Sequence, residues 1–230
     1  MGDGRMTRQS ALDLIGQTKI LAVLRGIPIE QTLDVARALY SGGVRAMEYT
    51  FDHGGPDCVE QTAARVRLVT AEFGDSLLVG CGTVLTVQEA EAAYAAGARI
   101  LVSPNVNESV IRRARELGAA SMPGAMTPTE IMRAFDAGAD MVKLFPASFL
   151  GPDFIRAVRG PMRHVPMTAM GGINLRNIEA FLEAGICAFG IGGELASAGM
   201  VASRDWEGIA GNAQRFVRAI AAWQERRDKQ

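Results

Sequence analysis

The sequence predicts an α/β fold, a (β/α)8 TIM barrel in a single domain, with one helix before the first strand and a closing helix after the last. Three observations carry this. Eight apolar runs of strand length alternate with stretches of helical period. A phrase built around glycine recurs before five of the strands: Ser41-Gly42-Gly43-Val44, Ala96-Gly97-Ala98, Leu117-Gly118-Ala119, Ala137-Gly138-Ala139 and Ala184-Gly185-Ile186. Finally, 230 residues divided by eight give units of about 29, near the ~250-residue norm of such barrels.

Taken in order, Met1–Ser10 is polar and mixed in charge, and Ser10–Gln17 has the pattern of a short helix over the barrel bottom. The first strand is expected at Ile20–Leu24, followed by a helix over Ile29–Tyr40. Arg45–Phe51 then precedes Asp57–Phe73, Leu77–Cys81 precedes Val87–Ala96, and Arg99–Ser103 precedes Glu108–Leu117. The fifth strand, Ala119–Met122, leads to a helix at Thr129–Asp136, and the sixth is Asp140–Phe145. The seventh, Val165–Ala169, leads to Leu175–Glu183, and Cys187–Ile191 is the eighth. Trp206–Arg227 is the closing helix, with Ile209, Phe216, Ile220 and Trp223 along one side, and residues 225–230 are a frayed tail.

Helix starts are marked by Thr86, Asn107, Thr127 with Pro128, and Asn174, residues whose side chains or ring suit a first turn. The recurring glycines mark the stops, each placed to take the left-handed conformation just past a helix. Gly97, Gly118 and Gly138 lie 21 and 20 residues apart, and Gly185 follows after 47, about two such units. The competing architecture is an open doubly wound sheet. It would carry a glycine fingerprint after the first strand, and Arg25-Gly26-Ile27-Pro28 is not GxGxxG.

Composition narrows the function. Apolar residues at 48% and charged residues at 21% exclude disorder. Lys plus Arg at 24 against Asp plus Glu at 25 leaves a net charge of −1, which argues against a basic nucleic-acid surface. The three cysteines, Cys58, Cys81 and Cys187, are odd in number and lack CxxC spacing. That pattern fits reduced thiols better than a disulfide framework or structural zinc. No signal-peptide pattern opens the chain and no apolar run approaches membrane-spanning length. The expectation is a soluble cytoplasmic protein that takes a small molecule and has neither a nucleic-acid nor a membrane partner.

In a barrel, chemistry gathers at the C-terminal strand ends. Two ionisable residues interrupt apolar strands there: Lys143 within Met141-Val142-Lys143-Leu144-Phe145, and Glu48 within Met47-Glu48-Tyr49. Each points into the barrel, where an unpaired ion costs several kcal/mol, so each needs a partner or a shifted pKa. They are either a structural salt bridge or a catalytic pair. A desolvated lysine loses its proton and becomes a nucleophile toward a carbonyl, which is Schiff-base chemistry. At an ordinary pKa of ~10.4 only about one lysine in 2,500 is neutral at pH 7, so burial matters. A glutamate beside it opposes that shift and must act as a proton carrier.

His53 and His164 are the only histidines and lack metal-ligand spacing, so no metal site is expected. His53 reads as a loop residue or as a substrate contact. Gly171-Gly172-Ile173-Asn174 and Gly190-Ile191-Gly192-Gly193-Glu194 end the last two strands. They are either simple turns or an anion site in which backbone N–H groups hold a phosphate.

Together these residues resemble the class I 2-keto-3-deoxy-6-phosphogluconate / 4-hydroxy-2-oxoglutarate aldolase family, from about Ile20 to Leu195. The matching phrases include Ile20–Arg25, Gly42–Glu48, Gly80–Leu85 and Val102-Ser103-Pro104. The most specific are Pro123-Gly124-Ala125-Met126-Thr127-Pro128-Thr129-Glu130 and Val142-Lys143-Leu144-Phe145-Pro146-Ala147. The resemblance implies a homotrimeric barrel without metal or organic cofactor, acting on a 2-oxo acid. It makes Lys143 the Schiff-base lysine and Glu48 the proton carrier. It makes Arg25 and Thr83 contacts to the pyruvate-side carboxylate, Pro104 and Phe145 pocket walls, and Gly171, Gly172, Gly192 and Gly193 the distal anion site. The competing function is a phosphosugar isomerase or epimerase, or a non-cleaving anion-binding barrel, in which Lys143 forms no imine.

Three positions depart from the family pattern. Asp52 stands where some members have arginine, Met170 where threonine is usual, and Glu194 near a usual serine. A helix N-terminus is expected just after Gly193, where the Glu194 carboxylate either takes the place of a phosphate or caps the helix from outside the pocket. The expectation is a weaker preference for phosphorylated substrates, in favour of an uncharged polyol chain.

Overall fold

The computed structural model describes Met6–Lys229. Helix α1 (Arg8–Thr18) opens with a reciprocal cap between Thr7 and Ser10 and ends at Lys19. Strands β1 (Ile20–Leu24), β2 (Ala46–Thr50), β3 (Leu78–Gly82) and β4 (Ile100–Val102) alternate with helices α2 (Thr32–Ser41), α3 (Cys58–Phe73), α4 (Val87–Ala95) and α5 (Glu108–Leu117). A single 3-10 turn at Ile29–Gln31 opens the region expected as the first helix.

The fifth strand is split. β5 (Ala120–Met122) and β6 (Gly124–Ala125) flank Pro123, which has no N–H to give to a ladder. β5 pairs with β4, and β6 pairs with β7 (Val142–Leu144), all parallel. The sheet order β5-β4-β3-β2-β1-β9-β8-β7-β6 therefore begins and ends on one continuous segment. The N–H groups of Met141, Lys143 and Phe145 donate to the carbonyls of Ser121, Pro123 and Ala125, which closes the ring. β8 (Met167–Met170) and β9 (Ala188–Ile191) complete the expected barrel.

Side chains alternate across each strand. Leu21, Ala46, Leu78, Ile100, Ala120, Met141, Met170 and Ala188 form an inner core. Met47, Val79, Leu101, Val142, Ala169 and Phe189 form the layer beneath the helices. Glu48 is two residues on from Ala46 and Lys143 two on from Met141, so both point inward. The glycines Gly43, Gly97, Gly118, Gly138 and Gly185 all have positive φ, from 81° to 114°, as the repeated phrase requires.

Some element bounds differ from the sequence reading. Thr86, Asn107 and Thr127 cap α4, α5 and α6 (Pro128–Asp136). Asn174 does not cap a helix: its Oδ1 accepts from the Arg176 N–H, and α8 (Ile178–Glu183) begins after Asn177. α7 (Ala147–Arg159) was not foreseen, because Gly151 at φ 72° and Pro152 interrupt its pattern. α9 (Ala198–Ala202) is short and is capped by Ser197. α10 (Trp206–Asp228) continues beyond Glu225, where the sequence begins the frayed tail, and Gln230 lies outside the described residues.

Candidate active site

All ten site residues read from the sequence line one cavity of about 400 Å³ at the C-terminal end of the barrel. Lys143 and Glu48 lie at its floor, 8% and 1% exposed. They form no direct ion pair among the described residues, and Glu48 Oε2 is buried without a hydrogen-bond partner. Burial raises the Glu48 pKa to about 7, against the opposing pull of Lys143 and Arg25. Burial lowers the Lys143 pKa; Glu48 opposes this and Arg25 adds to it. Burial thus pushes each group toward its neutral form.

The room for Glu48 comes from β3. A Cβ on Gly82 would lie 2.9 Å from the Glu48 carboxyl carbon and 2.9 Å from the Thr50 methyl. Thr83 follows directly with φ 57°, a left-handed conformation that a β-branched residue rarely takes. Lys143 Nζ stands 4.6 Å from the centre of the Phe145 ring. That ring packs on Gly171, where a Cβ would approach it to 3.3 Å. Pro104 follows β4, and its carbonyl packs so closely on Gly124 that no side chain fits there. Arg25 follows β1 on the exposed rim.

The distal wall is backbone. Gly171 and Gly172 have φ of 88° and 78°. The Gly171 carbonyl accepts from the Ser148 N–H at 3.0 Å, and the Gly172 carbonyl accepts from Asn177 Nδ2 at 2.8 Å. At the other cluster the expected helix N-terminus is absent. The Leu195 and Ala196 N–H groups close a turn onto the Gly192 carbonyl, and α9 starts only at Ala198. Glu194 sits exposed in that turn, so its carboxylate caps no helix. The N–H groups of Gly172, Ile173, Gly193 and Glu194 make no backbone hydrogen bond among the described residues, which leaves donors for an anion.

Met170 lies on the inner face of β8, fitted against Gly190, and brings an apolar wall to the cavity. Asp52 lies outside the cavity, and its Oδ1 accepts from the Gly54 N–H. His53 is also outside and pairs with Glu89 at 2.7 Å, so it is not positioned as a substrate contact. Thr50, absent from the sequence reading, lines the cavity. Its place two residues after Glu48 on one strand face was the available signal. Among the described residues no group of three or more His, Cys, Asp or Glu could hold a metal, and no helix is long and apolar enough to cross a membrane.

Known proteins agree with this arrangement. A family model described as KDPG and KHG aldolase matches residues 13–211. A probable 2-dehydro-3-deoxy-6-phosphogalactonate aldolase of Rhizobium meliloti is 38% identical over 184 residues, covering 80% of this chain and 84% of the relative. The 2-dehydro-3-deoxy-6-phosphogalactonate aldolase of Escherichia coli is 32% identical over 206 residues, covering 88% of this chain and 96% of its own length. Among solved structures, a native KDPGal structure superposes with a TM-score of 0.82 at 31% identity, covering 90% of this chain and 96% of that one. KDPG aldolase from Legionella pneumophila, with pyruvate captured as a covalent carbinolamine, superposes with a TM-score of 0.79 at 25% identity, covering 89% of this chain and 96% of that one. With its fold, its site and these relatives in agreement, this chain belongs to the KDPG and KHG aldolase family.

Proposed function

We propose that the chain is a class I aldolase that cleaves a 2-keto-3-deoxy sugar acid, in its 6-phosphate form, or a 4-hydroxy-2-oxo acid, to pyruvate and an aldehyde. One observation carries the assignment: an inward lysine and an inward glutamate share one cavity, and burial moves their pKa values toward each other. Neutral Lys143 Nζ adds to the 2-oxo carbon, and the carbinolamine loses water to form an iminium. Glu48 takes the C4 hydroxyl proton through a water. The C3–C4 bond breaks, and its electron pair passes into the iminium, leaving an enamine. Protonation at C3 and hydrolysis release pyruvate and restore the amine. The iminium is the electron sink, so the scheme needs neither metal nor organic cofactor.

Arg25 and Thr83 hold the pyruvate-side carboxylate, Pro104 and Phe145 form the walls, and Gly171, Gly172, Gly192 and Gly193 receive the distal anion. A phosphate is favoured for two reasons. Glu194 is not seated in a helix terminus, and the relatives at 38% and 32% identity are named as phosphogalactonate aldolases. The resemblance supports a homotrimer of single-domain subunits, and the balanced charge and reduced cysteines support a cytoplasmic location. Incubation with pyruvate and borohydride tests the reading. One reduced pyruvate is expected at Lys143 by peptide mass spectrometry. No adduct, or an equal adduct in Lys143→Ala, would favour the isomerase or binding-barrel alternative.

A further inference from the structure

The loop after β2 and the loop after β3 are joined behind the cavity by one buried carboxylate. Glu89, 6% exposed on α4, accepts from the Leu85 N–H at 2.6 Å and the Thr86 N–H at 3.0 Å through Oε2. Its Oε1 lies 2.7 Å from His53 Nε2, and with an ionised carboxylate the imidazole N–H is the donor. Glu89 and Thr86 also cap α4 reciprocally. His53 belongs to the loop that leaves β2 beyond Glu48, and Leu85 is two residues beyond Thr83. The pair therefore ties together the two segments that carry a cavity-floor carboxylate and a cavity-wall hydroxyl.

Thr83 makes this tie consequential. A threonine at φ 57° holds a left-handed conformation that persists only where its surroundings over-determine it. The fixing bonds are the Val84 N–H to the Val102 carbonyl at 3.0 Å, Asn107 Nδ2 to the Leu85 carbonyl at 3.0 Å, and the two bonds onto Glu89. From the β2 side this segment is held at two points: the Phe51 N–H donates to the Gly82 carbonyl at 2.9 Å, and His53 reaches it through Glu89. We propose that His53 is a positioning residue: through Glu89 it holds Thr83 in the conformation that receives the substrate carboxylate. The inference rests on the aldolase reading for the identity of that carboxylate.

The test is the dependence of borohydride trapping on pyruvate concentration, with turnover of a 2-keto-3-deoxy-6-phospho sugar acid alongside. His53→Ala is expected to raise the half-saturating pyruvate concentration and KM by about tenfold while kcat stays within about twofold, since a displaced binding group weakens ground-state capture without touching the reacting atoms. His53→Gln keeps an N–H donor of similar reach and should restore most of the loss. Hydrogen exchange at the Leu85 and Thr86 amides should quicken in His53→Ala and not in His53→Gln. A lowered Tm with unchanged half-saturation and unchanged exchange would make His53 a structural loop residue and overturn the proposal. If wild-type protein traps no pyruvate at any concentration, the aldolase reading fails first and this inference falls with it.

Discussion

Glu48 and Lys143 carry opposite charges in water, yet burial works against the charge of each. For Glu48 the shift runs from 4.5 to about 7. Between those values the folded chain keeps a proton that the unfolded chain has released, so folding stability falls as pH rises through this window. The loss is about 3 kcal/mol at most. Lys143 has the opposite sign: its lowered pKa means the folded chain has released a proton that the unfolded chain holds, so its contribution to stability rises with pH toward 10.5. Glu48→Gln cannot titrate, so in urea unfolding the wild type is expected to lose stability between pH 5 and 7.5 and the variant to lack that decline. Equal slopes would mean that Glu48 stays ionised throughout. The same substitution should slow turnover by roughly 10²–10⁴, the scale of a positioned acid–base group. Pyruvate trapping should survive, because Glu48 is the neighbour that favours the protonated lysine. An unfolded variant with normal specific activity in its folded fraction would return Glu48 to a structural role.

At the scale of elements, β3 makes the site possible by what it omits. Gly80 and Gly82 both face inward, in register with Glu48 and Thr50 of β2. A Cβ at Gly82 would press on the Glu48 carboxyl, and one at Gly80 would meet Ile100 at 2.5 Å. Gly82 does not have positive φ, so alanine fits its backbone and the cost falls on the side chains above it. Gly82→Ala should therefore reduce kcat by more than about tenfold while Tm drops only modestly, since overpacking costs about 1–3 kcal/mol. Unchanged kcat would show that Glu48 has room to turn away. The strands were readable to within one to three residues because apolar runs and glycine stops repeat, and Lys143 and Glu48 stood out because charge interrupts apolar strands. Other features left no local mark. α7 carries Gly151-Pro152, Asn174 looks like a cap but serves a turn three residues early, and Thr50 is an ordinary strand residue. His53 depends on Glu89, 36 residues away in the chain.

The whole molecule depends on one seam, where the segment split at Pro123 joins β4 to β7 and closes the ring. Asp140 stands at the lower end of that seam. Its side chain is 4% exposed, it accepts from the Ser121 N–H at 2.9 Å, and it accepts from Nε and Nη2 of Arg8. A single carboxylate therefore bonds the β5 backbone and anchors α1 across the barrel bottom, away from the cavity. Asp140→Ala strands a buried N–H and a half-buried guanidinium together and should cost about 2–4 kcal/mol. Arg8→Ala leaves Asp140 with its backbone donor, and Arg8 is one-third exposed, so about 1 kcal/mol is expected. The double variant should be at least as stable as Asp140→Ala alone, because removing the arginine also removes the stranded guanidinium. Activity per folded molecule should not change in any of the three, since the seam's lower end lies opposite the cavity mouth. Denaturant unfolding together with active-site titration by pyruvate trapping separates the two quantities. A loss of trapping in fully folded Asp140→Ala would mean that strain at the seam travels along β7 to Lys143.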